Sequence, residues 1–319
     1  MDTIHLCTAA DKNYKLPLMT LLNSIYKNSL SHPCIMHVLY TGLSKRYQRK
    51  LQNKYKGTQL FIDFVDVSNY NFDVYELNMQ YWTRAIFYRI MIPEIFKDIE
   101  RVLYIDGDTL ILQDLHDLYN TKFEDSCCLA MVVDRFSWKH QMFRLKTSNY
   151  FNSGVILFDI KKCRDYDFSY KCMKWLQDNP RKPLYPDQDA INVVCNNKIM
   201  RLNNLYNKMV VPAYPEQLDK KPFIIHFLSA VKPWMYKGKL RYCSFYRSYI
   251  PSKFQRNKVF IKQFIHKIID YILRTETGEI LQGTKILSQK QYFLCTKLVY
   301  TKTLEKKDIV DVIKKSRER

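Results

Sequence analysis

At 319 residues and 47% hydrophobic content, the chain has material for one large α/β domain or for a domain with an appendage. No stretch reaches the roughly 18 apolar residues that span a bilayer. The opening Met1-Asp-Thr-Ile-His-Leu-Cys7 lacks the basic and long apolar regions of a secretory signal, and reads instead as a first strand. The net charge of +20 is segregated, because 237–319 holds 20 Lys and Arg against 7 Asp and Glu. Such a block favours a polyanionic surface: anionic lipid, nucleic acid or acidic glycan. Nine cysteines contain no Cys-x-x-Cys and form no zinc-ligand spacing, which predicts reduced, mostly buried thiols of a cytosolic protein.

Residues 4–10 read as a strand, and Leu18, Met19, Leu21, Leu22, Ile25 and Tyr26 then recur at helical spacing. Strands at 34–40 and 60–67 flank a polar, basic helix at 44–55. This alternation predicts a mostly parallel sheet with helices on both faces. A helix over 82–92 is expected to end at Pro93. Short apolar runs follow at 129–133 and 155–158, the second preceded by Tyr150-Phe-Asn-Ser-Gly154. Helices are predicted over 171–177 and 187–195, and a last strand over 223–227. Beyond about 237 the pattern changes to an amphipathic basic helix over 258–274 and a charged tail over 304–319. The resulting division is a catalytic domain over 1–240 and a basic, largely helical region over 241–319.

The most informative stretch is Arg101-Val-Leu-Tyr-Ile-Asp-Gly-Asp-Thr-Leu-Ile-Leu112, a buried strand that ends in two carboxylates. Side chains at i and i+2 of a strand point the same way, about 6–7 Å apart, so both carboxylates can converge on one divalent cation. The tripeptide alone is equally a polar turn after a core strand. In an open parallel sheet, ligands sit beyond the carboxyl ends of the strands. Asp11, Asn13, Asp106, Asp108, Asp134, Asn152, Asp187, Gln188 and His226 all fall at or near such ends. With seven glycines and neither a dinucleotide fingerprint nor a P-loop, any bound phosphate must be held by a metal and basic side chains.

The set Ala9-Ala-Asp11-x-Asn13-Tyr14, Arg89, Tyr104-Ile-Asp-Gly-Asp-Thr-Leu-Ile111, Phe151-Asn-Ser-Gly-Val155, Tyr185-Pro-Asp-Gln-Asp189-x-x-Asn192 and His226 with Lys232-Pro-Trp234 resembles glycosyltransferase family 8. The closest likeness is to bacterial lipopolysaccharide α-glucosyl- and galactosyltransferases, over about 1–236. The resemblance implies a GT-A fold, UDP-glucose or UDP-galactose as donor, Mn2+ (or Mg2+), and transfer with retention. It assigns Asp106, Asp108 and His226 to the metal and Lys232 to the diphosphate. Asp11, Asn13 and Tyr14 are assigned to uracil and ribose, with Ala9 and Gly107 beside them in the donor set. Arg89, Asp134, Asn152, Asp187 and Gln188 line the donor sugar and acceptor, the last four being the candidates nearest the chemistry. Ser229 stands where the family usually has a glycine, which places a Cβ near the diphosphate.

A metal and Lys232 would stabilise the departing diphosphate without a proton donor. Gln188, at the family's position near the anomeric carbon, is a poor nucleophile, which favours front-face attack by the acceptor over a covalent intermediate. The expected partners are a UDP-sugar, a lipid-linked glycan acceptor and an anionic membrane surface met by the C-terminal region. Localisation is then cytoplasmic, peripheral to the inner membrane. A catalytically silent scaffold is opposed by the filled metal-ligand positions, and nucleic-acid binding by the absence of any recognition motif.

Overall fold

The structure is a computed structural model that describes residues 3–70, 83–180, 183–211, 221–228, 232–235, 240–253, 255–257, 259–260 and 263. The chain divides into two compact units, Met1–Ala230 and Val231–Arg319. The first opens with β1 (Ile4–Ala10), α1 (Lys15–Asn28), β2 (Cys34–Tyr40), α2 (Lys45–Tyr55) and β3 (Leu60–Asp66). Next come a 3-10 helix (Arg84–Met91), α3 (Ile92–Ile95), β4 (Arg101–Ile105), β5 (Thr109–Ile111) and α4 (His116–Tyr119). The run continues through β6 (Leu129–Val133), α5 (Trp138–Leu145), β7 (Phe151–Asp159), α6 (Ile160–Asp165), α7 (Phe168–Asp178) and α8 (Pro186–Val194). It closes with β8 (Ile199–Arg201), a 3-10 turn (Asn204–Asn207), β9 (Lys208–Val210) and β10 (Ile224–Phe227).

Seven strands form the central sheet in the order β3-β2-β1-β4-β7-β6-β8. Only β7 runs against its neighbours β4 and β6; the other pairs are parallel. The alternation of side chains explains why both faces are dry. Leu103, Ile105, Val155 and Leu157 enter one core, while Val102, Tyr104, Ile156 and Phe158 enter the other. The strand order reverses direction between β1 and β4, and such a switch point opens a crevice at the carboxyl edge. Asp11–Tyr14 follows β1 there and Asp106–Asp108 follows β4.

Local chemistry accounts for the ends of the elements. Ser44 accepts the Tyr47 N–H and starts α2, whose buried Gln48, Leu51 and Tyr55 share one face. The helix expected to stop at Pro93 is instead a 3-10 turn ending at Met91. Pro93 lies in the first turn of α3, where its missing N–H costs nothing. The strand expected at 155–158 begins earlier, at Phe151, so Asn152, Ser153 and Gly154 belong to β7 itself. Because β7 is antiparallel, its amino end sits at the carboxyl edge of its neighbours.

A second sheet, β5-β10-β9, explains how distant residues meet. Antiparallel pairing sets His226 opposite Thr109, and parallel pairing sets it beside Met209. His226 is therefore inside a strand of this smaller sheet rather than at an end of the main one.

In the second unit, α9 (Leu240–Ser248) carries Tyr246, whose ring lies 5.2 Å from that of Trp234. Gln263 Nε2 donates to the Pro233 and Met235 carbonyls at 2.9 and 2.8 Å. Most of the basic helix expected over 258–274, the whole charged tail and Ser229 lie outside the described residues. No helix among the described residues is long and apolar enough to cross a membrane. Cys7, Cys34, Cys127, Cys128, Cys163, Cys172 and Cys195 are buried free thiols.

Candidate active site

Asp106, Gly107 and Asp108 form the turn between β4 and β5 rather than the end of a strand, so the carboxylates converge through the turn and not by strand alternation. Phe227 N–H donates to the Asp108 carbonyl at 3.0 Å, extending the β5–β10 pairing and drawing His226 to the turn. One ligand atom from each of Asp106, Asp108 and His226 lies within 4.8 Å of the others. His226 Nε2 is 3.3 Å from Asp108 Oδ1 and 3.8 Å from Asp106 Oδ2.

Two glycines make room for this arrangement. A Cβ on Gly154 would stand 2.1 Å from His226 Cε1 and 2.9 Å from Asp106 Oδ2, so only glycine lets the imidazole lie against β7. A Cβ on Gly107 would stand 2.9 Å from the Tyr14 ring. Tyr14 opens α1, and Asn13 N–H donates to Asp11 Oδ1 at 2.7 Å in a local turn. The Ala9–Tyr14 corner thus abuts the carboxylate turn.

Arg89 is enclosed beneath Asp106. Its Nη2 donates to Asp106 Oδ1 at 2.8 Å, and its Nη1 to the Ser153 carbonyl at 2.6 Å. Its Nε lies 3.3 Å from Asp187 Oδ2, and its guanidinium lies over the Tyr104 ring. Burial opposes its charge, but Asp106, then Tyr104 and Asp187, outweigh burial and keep it protonated. Tyr104 shares a face with Asp106 and donates to its Oδ1 at 2.7 Å. Arg89 Nη2 and Tyr104 both hold Oδ1, and Arg89 Nη1 also donates to Oδ2 at 3.3 Å, the oxygen that faces His226.

Beside this cluster lies a buried amide and carboxylate group carried by β7 and the first turn of α8. Gln188 Oε1 accepts from Ser153 N–H at 2.9 Å and from Asn152 Nδ2 at 3.1 Å, while its Nε2 donates to Asp134 Oδ2 at 3.2 Å. Asp134 Oδ1 accepts the N–H groups of Phe136 and Ser137. Ser153 Oγ donates to Asp187 Oδ2 at 2.9 Å. Burial lifts the Asp187 carboxyl above the usual range, Arg89 opposes this, and Asp106 adds to it. Asp189 anchors the helix, taking bonds from Tyr150 Oη, Arg144 and Leu184 N–H.

The structure brings Arg89, Asp106, Asp108 and His226 together, sets Asn152, Asp134, Asp187 and Gln188 beside them, and puts Tyr14, after the Asp11–Asn13 turn, against Gly107. Lys232 belongs to the second unit. Three contributors lie outside the anticipated set: Tyr104 and Ser153, which hold Arg89 and its carboxylates, and Asn207. Asn207 Oδ1 lies 3.1 Å from His226 Nδ1, and its Nδ2 donates to Asn152 Oδ1 at 2.9 Å. The polar run Asn203-Asn-Leu-Tyr-Asn207 before a short apolar strand was the only local signal for it.

Two carboxylates and an imidazole suit a Mn2+- or Mg2+-class cation, and their ligand atoms, within 4.8 Å of one another, are close enough to share one. The family model described as "Glycosyl transferase family 8" matches residues 5–238. General stress protein A of Bacillus subtilis (strain 168) is 27% identical over 274 residues, covering 78% of this chain and 93% of that protein. The lipopolysaccharide 1,3-galactosyltransferase of Salmonella typhimurium (strain LT2) is 23% identical, covering 73% of each chain. A crystal structure of the galactosyltransferase LgtC, in complex with donor and acceptor sugar analogs, superposes with a TM-score of 0.68. That match is 22% identical and covers 77% of this chain and 95% of that one.

Proposed function

This chain belongs to glycosyl transferase family 8 and has the GT-A fold; from that premise we propose that it is a retaining hexosyltransferase using a UDP-sugar. Its donor is UDP-glucose or UDP-galactose, and its acceptor a lipopolysaccharide core or another cell-surface glycan. The names of its lipopolysaccharide glucosyl- and galactosyltransferase relatives support the acceptor class. The observation that carries the reading is the meeting of Asp106, Asp108 and His226 between the Ala9–Tyr14 corner and the Asn152–Gln188–Asp134 group.

Asp106, Asp108 and His226 would hold Mn2+, or Mg2+ in its place, and when bound the cation neutralises charge on the diphosphate. Lys232 is assigned to the same diphosphate. Asp11, Asn13 and Tyr14 bind the nucleoside, with Ala9 and Gly107 giving close approach to backbone. Asp134, Asn152 and Asp187 orient sugar hydroxyls. Arg89 holds Asp106 and Asp187 in place from beneath.

Gln188 decides the stereochemical route. Its carbonyl oxygen already accepts from Ser153 N–H and Asn152 Nδ2, so its lone pairs are engaged. Asp187 is likewise held by Ser153 and Arg89. Because the amide of Gln188 is a poor nucleophile, the acceptor hydroxyl attacks from the leaving-group face and passes its proton to the departing phosphate oxygen. The C-terminal basic region is assigned to an anionic membrane surface at about 1 kcal/mol per nearby basic residue, which places the enzyme at the cytoplasmic face of the inner membrane.

The test is UDP release with Mn2+ across UDP-glucose, UDP-galactose and their N-acetyl forms. Slow hydrolysis of one hexose donor without acceptor is the expected result. No release from any UDP-sugar, in a protein that binds Mn2+, overturns the assignment, and a glycosyl adduct trapped on Asp187 or Asp134 overturns the front-face route.

A further inference from the structure

We infer that Asn207 is a positioning residue that fixes which nitrogen of His226 faces the cation seat, an inference that rests on reading Asp106, Asp108 and His226 as that seat. Hydrogen-bond polarity is fixed link by link along a buried chain of amides. Gly154 N–H lies 3.0 Å from one side-chain amide atom of Asn152, and a backbone N–H can only donate. That atom is therefore the oxygen, Oδ1. A second backbone donor agrees: Ser153 N–H fixes Gln188 Oε1 as an acceptor, so the Asn152 atom facing Oε1 is Nδ2. Two independent main-chain groups thus set the orientation of Asn152.

The next link follows. Asn207 meets Asn152 Oδ1 at 2.9 Å and must do so with its NH2 group. Its oxygen then faces His226 Nδ1 at 3.1 Å, and that nitrogen must carry the ring proton. In a neutral imidazole the lone pair is left on Nε2, the atom facing Asp106 and Asp108. Asn152, Gln188, Asn207 and His226 are all buried, so bulk water offers these groups no substitute partner.

The alternative tautomer shows what Asn207 prevents. With the proton on Nε2, His226 would donate to Asp108 Oδ1 at 3.3 Å, and imidazole and carboxylate would satisfy one another. The seat would be closed by its own ligands. Asn207 disfavours that state because its Oδ1 would then face the lone pair of Nδ1. The same residue bonds Asn152, so one side chain joins the cation seat to the sugar-side amides.

Two variants separate the two halves of Asn207. Asn207→Leu removes both contacts, whereas Asn207→Asp keeps an acceptor toward His226 but loses the donor to Asn152. Mn2+ affinity is read by electron paramagnetic resonance of the free ion. Asn207→Leu is expected to weaken it about 10–100-fold, while Asn207→Asp stays within about threefold of wild type and loses donor hydrolysis. Nitrogen-15 spectra of metal-free wild type should show a neutral His226 protonated on Nδ1, and they decide the matter if Asn207→Leu does not fold. Wild-type affinity in folded Asn207→Leu, equal loss in both variants, or a protonated Nε2 overturns the inference. Failure of wild type itself to bind Mn2+ overturns the cation seat instead.

Discussion

Two polar clusters meet the central sheet, one within it and one at its carboxyl edge, and they are finished differently. One crosses β1, β2 and β3 short of their carboxyl ends. Its His5 Nδ1 lies 3.0 Å from His37 Nε2, and His37 Nδ1 lies 2.9 Å from Asp63 Oδ2. Asp63 accepts only, so His37 donates to it from Nδ1 and takes the His5 proton on Nε2: each group facing another is a donor meeting an acceptor. The other cluster lies at the switch point. Arg89, Tyr104 and Ser153 fix its members, and one ligand atom from each of Asp106, Asp108 and His226 lies within 4.8 Å of the others. A closed network favours folding, whereas two carboxylates gathered about one imidazole suit a cation between them. The contrast supports the proposal that the second cluster is the functional one.

The largest effect should come from the ion that holds the open cluster together. Arg89→Met leaves the Asp106 and Asp187 carboxylates without their counter-charge, and should destabilise the protein by about 3–5 kcal/mol in denaturant unfolding. A change below about 1 kcal/mol would mean that the guanidinium is not what offsets them. Asp108→Ala should cut UDP release by about 10²-fold or more while leaving the melting temperature unchanged or raised. An equal loss of stability would place Asp108 with the closed network.

Gly154→Ala drives a methyl group into a buried imidazole, and should cost about 1–3 kcal/mol along with much of the Mn2+ affinity. Unchanged Mn2+ binding would show that His226 has freedom the packing denies it. The smallest effect belongs to the closed network, where Asp63→Ala should cost under about 1 kcal/mol, since Asp63 is half exposed. Its carboxyl is held below the ordinary range chiefly by the bond from His37. A lowered carboxylate pKa stabilises the fold above the unfolded value and ceases to do so on acidification. Wild type and Asp63→Ala should therefore converge in stability as pH falls below about 4, with hydrolysis rates alike at neutral pH.

What could be read from sequence was whatever a short window encodes. The strands at 4–10, 34–40 and 129–133 fall where hydrophobic runs and turn residues set them. Asp11, Asp106, Gln188 and His226 sit in dense local motifs. The parallel alternation was legible too, because β and helical periods differ. The orientation of β7 was not, since an apolar run carries no direction. Neither was the second sheet, whose strands are as short as three residues. Asn207 was invisible for a related reason. Its meaning comes from the β9–β10 pairing that carries it to His226, 19 positions later. Gly154 was visible as part of a motif, but the ring that excludes its Cβ comes from another sheet.

The claim that matters most is that Asp106, Asp108 and His226 seat a cation that sugar transfer requires. Its most direct test is UDP release from the preferred hexose donor after exhaustive chelation, followed by titration with Mn2+. Activity should vanish with the metal and return as one equivalent is restored, and Asp108→Ala should not recover. Full activity in excess chelator would contradict the account.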